Sequence, residues 1–224
     1  MEVPAYKIAS FEIVDLPLIR KVSRTGKPVI ISTGMATVSE IAEAVEAVRS
    51  EGNHQIALLK CTSEYPARIE DMNLRTIPHL SQMFHVPVGL SDHTLGISAA
   101  VASVALGATI VEKHFTLSRK IPGPDSSFSL EPHEFRNLVD AIRETEKSLG
   151  AVQYTCTDKE EASRVFRRSL FAVKDIQQGE PFSWDNVRSI RPGYGLPPKY
   201  IGLIIGKPAK CDIKKGTPLS FDLL

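Results

Sequence analysis

The chain has 224 residues, enough for one large domain or two small ones. Its 27 Lys and Arg against 26 Asp and Glu leave almost no net charge, which argues against a nucleic-acid backbone as partner, since that needs a basic surplus. No apolar run reaches the roughly 20 residues of a membrane span, MEVPAYKIAS lacks the basic and apolar regions of a signal peptide, and Cys61, Cys156 and Cys211 match no zinc spacing. A reduced, cytoplasmic protein with neither nucleic-acid nor membrane partners is the simplest reading.

Residues 5–9 read as a first strand, with Lys7 and Ser10 at its end. Asp15–Arg24 reads as a helix with Leu16, Ile19 and Val22 on its apolar face, ended by Thr25-Gly26-Lys27. Pro28–Ser32 is a second strand. Thr37–Ser50 is a helix that Thr37 can cap with Glu40 three residues on, and Ile41, Ala44, Val45 and Val48 form its buried stripe. Ile56–Cys61 is a third strand, ending in the polar loop Thr62–Pro66. Asn73–Phe84 reads as helical despite Pro78. Val86–Leu90 is the fourth strand, an alanine-rich helix follows, and Thr109–Lys113 is the fifth strand. A long loop containing Pro-Gly-Pro-Asp precedes a helix over Glu131–Leu149, with Pro132 in its first turn and Gly150 at its close.

Five strands thus alternate with five helices, and the strands are continuous apolar runs, as in a parallel sheet buried on both faces. Polar residues follow every strand: KIASFE, ISTGM, KCTSEYP, LSDHT and EKHFT. A (β/α)8 barrel places its chemistry at the carboxyl ends of all its strands, whereas a doubly wound sheet does so only at a switch point, which favours the barrel. Five units do not close an eight-unit barrel, so either the sheet is open or the front of a larger protein is missing. His93 and His114 each lie just past a parallel strand. If those strands are neighbours, their ends are about 5 Å apart. The two histidines can converge on one ion, or can cap two separate loops.

The texture changes after Gly150. Ala151–Val165 is polar and reads as a linker, and Phe166–Leu224 has short apolar pieces between turn signals. DIQQGEPFS and DIKKGTPLS share the phrase Asp-Ile-x-x-Gly-x-Pro-x-Ser, which predicts a small pseudo-symmetric β-rich module with little core of its own. The division is therefore 1–150, a linker at 151–165, and 166–224.

Taken in order, KIASFE, VIISTGMAT, LLKCTSEYP, VPVGLSDHTLGI, VALGATIVEKHFTL, PGPDSSFSLEP and RPGYGL resemble the blocks of the sialic acid synthase family over essentially the whole chain. The C-terminal module is similar to the antifreeze-like SAF domain that ends those enzymes. KIASFE, GLSDHT and SIRPGYGL are more similar to the pseudaminic acid synthase branch than to the N-acetylneuraminate branch. The resemblance implies a (β/α)8 TIM barrel lacking its first about three units, followed by a SAF domain. It implies metal-assisted condensation of phosphoenolpyruvate with an open-chain amino-sugar aldehyde, giving a nine-carbon 2-keto acid and phosphate. Mn²⁺ is the expected cofactor and Mg²⁺ the alternative. Synthesis of N-acetylneuraminate or legionaminate is the second reading. A homodimer is implied in which the SAF domain of one chain covers the barrel mouth of the other and excludes water.

Site residues follow from the same resemblance. His93 and His114 match the metal ligands. Glu12 matches a carboxylate near both substrates, placed to handle protons, and otherwise is a solvated first-turn charge. Asp125 matches an aspartate beside the sugar, and otherwise is a turn residue after Pro124. For the phosphate and carboxylate of phosphoenolpyruvate, Lys7 supplies a positive charge at a strand end and Ser10, Ser32, Ser63 and Ser91 supply hydroxyls on four successive strand ends; of these serines Ser32 and Ser91 match the family's blocks, and serines in such places also serve as caps. Ser63 stands where the family often has asparagine. Tyr65 contacts the sugar or packs under its own loop. Arg191 matches an arginine that reaches the sugar's acyl group from the partner subunit. Of Glu112 and Lys113, one must face inward, in a role the pattern leaves open. Cys61 reads as a small buried residue, and His54, His79, His85 and His133 as surface residues. A family glutamate and lysine fall ahead of KIAS, so the chain reads as a fragment. Its outer strand edges would make it aggregation-prone or oligomeric, and it would be inactive alone. A non-catalytic binding or assembly module is the reading from another class.

Overall fold

A computed structural model describes residues 3–224. The chain divides into two compact units, Met1–Ala151 and Val152–Leu224. Among the described residues no helix is long and apolar enough to cross a membrane.

In the first unit, strands β1 (Tyr6–Ile8), β2 (Val29–Ser32), β3 (Ile56–Cys61), β4 (Val88–Asp92) and β5 (Val111–Lys113) form one parallel sheet in sequence order. Helices α1 (Leu16–Ser23), α2 (Val38–Arg49), α3 (Thr76–Phe84), α4 (Ser98–Ala105) and α5 (Pro132–Leu149) each follow the strand of the same number. Ile8, Ile31, Leu58 and Leu90 from the sheet pack with Ile19, Ile41, Val45, Ile77 and Leu80 from α1, α2 and α3. Full burial of each such side chain contributes about 1.5–3 kcal/mol. Leu59 and Gly89 face the other way. A Cβ at Gly89 would run into the Ile110 carbonyl oxygen and come within 2.7 Å of Leu59 Cδ2, so glycine is what lets β5 curl in around Leu59.

Capping chemistry sets the helix ends. Thr37 Oγ1 accepts from the Glu40 amide at 3.3 Å and Glu40 Oε2 from the Thr37 amide at 2.7 Å. Helix α5 starts at Pro132, with Glu131 as its cap. Most boundaries agree with the sequence pattern to within a residue; those of α3, β4 and β5 differ by more, β5 beginning at Val111 where Thr109 was expected. Helix α3 begins at Thr76, because Asn73 has a left-handed φ of 43° that no helix contains. Pro78 is then the third helical residue, where its missing amide leaves no hydrogen bond unmade. Strand β4 begins at Val88, because Pro87 has no amide to donate to the ladder, and it continues through Ser91 and Asp92.

The second unit opens with a helix where a plain linker was expected. Helix α6 (Asp158–Ser163) is capped by Thr157, whose Oγ1 accepts from the Glu160 amide, while Glu160 Oε2 accepts from the Thr157 amide at 2.8 Å. The Thr-x-x-Glu phrase that encodes this box was present in the sequence. Strands β6 (Ser169–Ala172) and β7 (Val187–Ile190) pair antiparallel, and a four-residue helix α7 (Ile201–Ile204) follows. The two copies of Asp-Ile-x-x-Gly-x-Pro-x-Ser pair with each other about a local two-fold. Ile176 and Ile213 exchange amide-to-carbonyl bonds, both 2.8 Å. Each aspartate then accepts an amide from the opposite copy: Asp175 from Lys215 at 2.7 Å, and Asp212 from Gln178 at 2.8 Å. Phe182 and Leu219, at matching places, are both 1% exposed.

The Lys215 amide, with the Lys214 ammonium, holds the Asp175 carboxyl below its ordinary value. Its stabilising effect is therefore fully present above the unfolded pKa of about 3.9 and is lost as pH falls through the lower folded value. Asp175→Ala is expected to lower the melting temperature at neutral pH, with the gap from wild type closing as pH falls through the lowered folded value of Asp175. A gap that stays constant across that range would contradict the exchange of caps.

Candidate active site

Side chains alternate along a strand, so the register sorts them by face. Lys7, Ser32, Cys61, Ser91 and Glu112 share the concave face at the carboxyl ends of the strands. Lys7 Nζ donates to Ser32 Oγ at 2.8 Å and lies 3.5 Å from Glu112 Oε1. Ser91 Oγ donates to the same carboxylate oxygen at 2.6 Å. Lys7 stands on β1 and Glu112 on β5, the two outer strands of the sheet, so their contact spans the whole concave face. The orientation that the sequence left open is thereby decided: Glu112 turns inward, and Lys113 turns outward under the helices.

A second wall comes from the loops after β1, β2 and β3. The Gly34 amide donates to the buried Ser10 Oγ at 3.1 Å. A Cβ on Gly34 would run into Ser63 Oγ and lie 2.7 Å from Ser10 Oγ, so only glycine lets these two hydroxyls meet there. The Cys61 thiol joins them, 3.7 Å from Ser63 Oγ and 3.9 Å from His93 Nδ1. Burial opposes its ionisation, but His93, Ser10 and Ser63 outweigh burial and bring its pKa down to about 7. Cys61 is buried, as its apolar strand indicated, but it turns toward polar neighbours.

His93 and His114 are each the first residue beyond a strand. The Ala67 amide donates to the His93 carbonyl and the Leu130 amide to the His114 carbonyl, both at 2.9 Å, which fixes both backbones. The ring centroids are 5.2 Å apart. His93 Nδ1 lies 2.9 Å from the Thr62 carbonyl oxygen, so that nitrogen carries the proton in the neutral ring and Nε2 keeps its lone pair. Asp125 Oδ2 lies 3.6 Å from His114 Nδ1. Burial lowers the pKa of His114, and the neighbouring His93 lowers it further. For His93, burial works in the same direction but is outweighed by Cys61 and the Thr62 carbonyl, and its pKa is raised. Tyr65 covers the pair, its ring centroid 4.3 Å from that of His93 and 5.9 Å from that of His114. Phe128 closes the far side, 5.0 Å from His114. Below them lies an open cleft of about 220 Å³, lined by His93, Glu112, Lys113 and His114.

Two imidazoles bound to one ion at bond lengths of about 2.1 Å place their centroids roughly 5 Å apart. A ligating histidine characteristically donates its other ring nitrogen to a carbonyl or carboxylate. His93 meets that condition through Thr62, and Asp125 stands in the corresponding place beside His114. Among the described residues no group of three or more His, Cys, Asp or Glu side chains converges as a metal cage. An ion held by this pair would have to take its remaining positions from water or substrate.

Glu12 Oε2 accepts the Ala9 amide at 2.9 Å, closing its local turn. Arg191 lies in the second unit, exposed, just after β7. His54, His79, His85 and His133 are exposed.

The NeuB family matches this chain over residues 1–154, and the SAF domain matches residues 167–224. The chain belongs to the NeuB family. It is 49% identical to pseudaminic acid synthase from Campylobacter jejuni over 96% of its own length and 63% of that protein's. It is 46% identical to pseudaminic acid synthase from Helicobacter pylori, over 98% of its length and 65% of that protein's. The chain thus spans a little under two thirds of these NeuB relatives. The crystal structure of spore coat polysaccharide biosynthesis protein SpsE from Bacillus subtilis superposes with a TM-score of 0.63 at 41% identity, covering 98% of this chain and 67% of that one. The curled parallel sheet is accordingly part of a TIM-barrel architecture, and the small antiparallel sheet is that of a SAF domain.

Proposed function

We propose that this chain supplies the substrate-holding strand ends of a nonulosonic acid synthase, condensing phosphoenolpyruvate with an open-chain amino-sugar aldehyde and releasing phosphate. The observation that carries this reading is the pairing of His93 with His114 above a floor of Lys7, Ser32, Ser91 and Glu112. Pseudaminic acid is the favoured product. The support is the identity to two pseudaminic acid synthases together with the KIASFE, GLSDHT and SIRPGYGL blocks.

Phosphoenolpyruvate brings a phosphate and a carboxylate to the concave face. Lys7 meets them with a fixed positive charge, and Ser10, Ser32, Ser63 and Ser91 offer hydroxyl donors. Glu112 is the repulsive neighbour. It takes the Ser91 hydroxyl, so an arriving anion must displace it from that bond. The enol carbon attacks the aldehyde carbon, whose oxygen takes up a proton to become a hydroxyl. Water adds at the second carbon of phosphoenolpyruvate and gives up a proton, and the bond from that carbon to the phosphate oxygen breaks as the second proton leaves, giving the 2-keto acid and inorganic phosphate. A divalent cation held by His93 and His114, Mn²⁺ favoured over Mg²⁺ by the imidazoles, would supply Lewis acidity and a water of lowered pKa. The Thr62 carbonyl orients the His93 ring, and Asp125, 3.6 Å from His114 Nδ1, is the catalytic carboxylate assigned beside the sugar and the cation's water. Tyr65 covers the aldehyde end and keeps bulk water out. Glu12 is the carboxylate assigned to proton handling, which requires it to leave the Ala9 amide. Arg191 is assigned to the sugar's acyl group, from the SAF domain of a partner subunit in a homodimer. The opposite charge surplus of the two units suits that exchange: acidic residues exceed basic ones in the first and the reverse holds in the second.

Two outcomes follow. His93→Ala and His114→Ala should each lower Mn²⁺ affinity by at least about tenfold in calorimetric titration while melting near wild type. Unchanged affinity in both variants would contradict the metal assignment. In the complete enzyme, mixing inactive His93→Ala chains with inactive Arg191→Ala chains should restore phosphate release, because one site of each mixed dimer then has both residues. No restoration, with mixed dimers present by mass spectrometry, would contradict the exchange of SAF domains.

A further inference from the structure

Asp92 and Lys113 are the last residues of β4 and β5, and each directly precedes a site histidine. They sit opposite one another in register, on the face turned away from the cleft floor. Their side chains are 0% and 1% exposed, and Lys113 Nζ donates to Asp92 Oδ2 at 2.8 Å. Asp92 Oδ1 accepts from both the amide and the hydroxyl of Thr94, at 2.9 and 2.7 Å. Lys113 Nζ donates a second bond to the Thr94 carbonyl at 2.5 Å. The network therefore grips the residue before His93, the residue after it, and the residue before His114.

Stability alone does not call for this arrangement. Lys113 shares a cavity wall with Val104, Ala108, Val111 and Leu138, and with Thr109, Arg143 and Glu146 toward its rim, while the ion pair itself is fully buried. A buried ion pair in such surroundings is often replaceable by apolar residues at no loss of stability. What an apolar pair cannot do is hold Thr94 by its amide, hydroxyl and carbonyl at once. Directional bonds to both sides of one histidine, reaching from the strand that carries the other, constrain the two rings relative to each other.

We infer that Asp92 and Lys113 are positioning residues, whose buried ion pair sets the spacing and ring orientation of His93 and His114. The geometric claim stands by itself, and its consequence for metal binding rests on the proposed function of the two histidines. Two readouts separate them: the tautomer of His93, read in ¹⁵N-histidine spectra of the metal-free chain, and Mn²⁺ affinity. At alkaline pH, where the His93 ring is neutral, wild type should show the Nδ1-protonated form. Asp92→Asn/Lys113→Met should fold, show mixed His93 tautomers, and bind Mn²⁺ roughly tenfold more weakly. Leu80→Ala, a core change in α3, serves as the control, lowering the melting temperature with tautomer and affinity unchanged. A double variant with wild-type tautomer and affinity overturns the inference. If the double variant does not fold, Lys113→Arg decides. It keeps the charge but not the shape, and should perturb both readouts, whereas wild-type values for both overturn the inference. If His93→Ala and His114→Ala leave Mn²⁺ binding unchanged, the metal reading fails and the tautomer alone decides the positioning role.

Discussion

The parallel register of β4 with β5 is the constraint on which the site depends. Ser91 stands opposite Glu112, and Asp92 opposite Lys113. The first pair makes a hydrogen bond on the concave face, and the second makes an ion pair beneath the helices. The next residue on each strand is a histidine. A slip of one residue would send each side chain to the other face. With β4 held in place, a slip of β5 would put the Lys113 ammonium where the His114 ring stands and turn that ring under the helices, away from His93. Polar partners on both faces thus fix one register, more tightly than apolar packing against a three-residue strand could.

The concave face is organised by charge as much as by shape. The contact between Lys7 and Glu112 joins the two outer strands, and Ser32 and Ser91 attach to its two ends. Both ions are partly exposed, so the contact contributes little to stability. Its importance is that the positive charge suited to an anion is already engaged. Under the proposed function, an anion binding there would exchange one carboxylate for another group of the same sign, which suits discrimination better than raw affinity.

Much of the fold was legible in the chain. The alternation of strands and helices, the Thr37–Glu40 box, Pro132 and Gly150 all act locally, through period and capping, and local signals survive in sequence. Strand-end histidines were legible for the same reason. The beginning of β4 and the start of α3 were not, because a proline without an amide and an asparagine with positive φ override the hydrophobic pattern. The faces of Glu112 and Lys113 were illegible because β5 is too short to show alternation, and its register is a tertiary fact. Cys61 ends an apolar strand, and that apolar context concealed its turn toward Ser63 and His93. Gly34 gives no sign in sequence of the two hydroxyls that need its missing Cβ.

The central claim is that this register brings His93 and His114 to a single divalent cation. Anomalous diffraction from crystals of the chain grown with Mn²⁺ and measured at the manganese edge tests it directly. One strong peak between the two Nε2 atoms is expected, with His93 Nδ1 still bonded to the Thr62 carbonyl. A peak elsewhere, or none between the rings at saturating Mn²⁺, would contradict it.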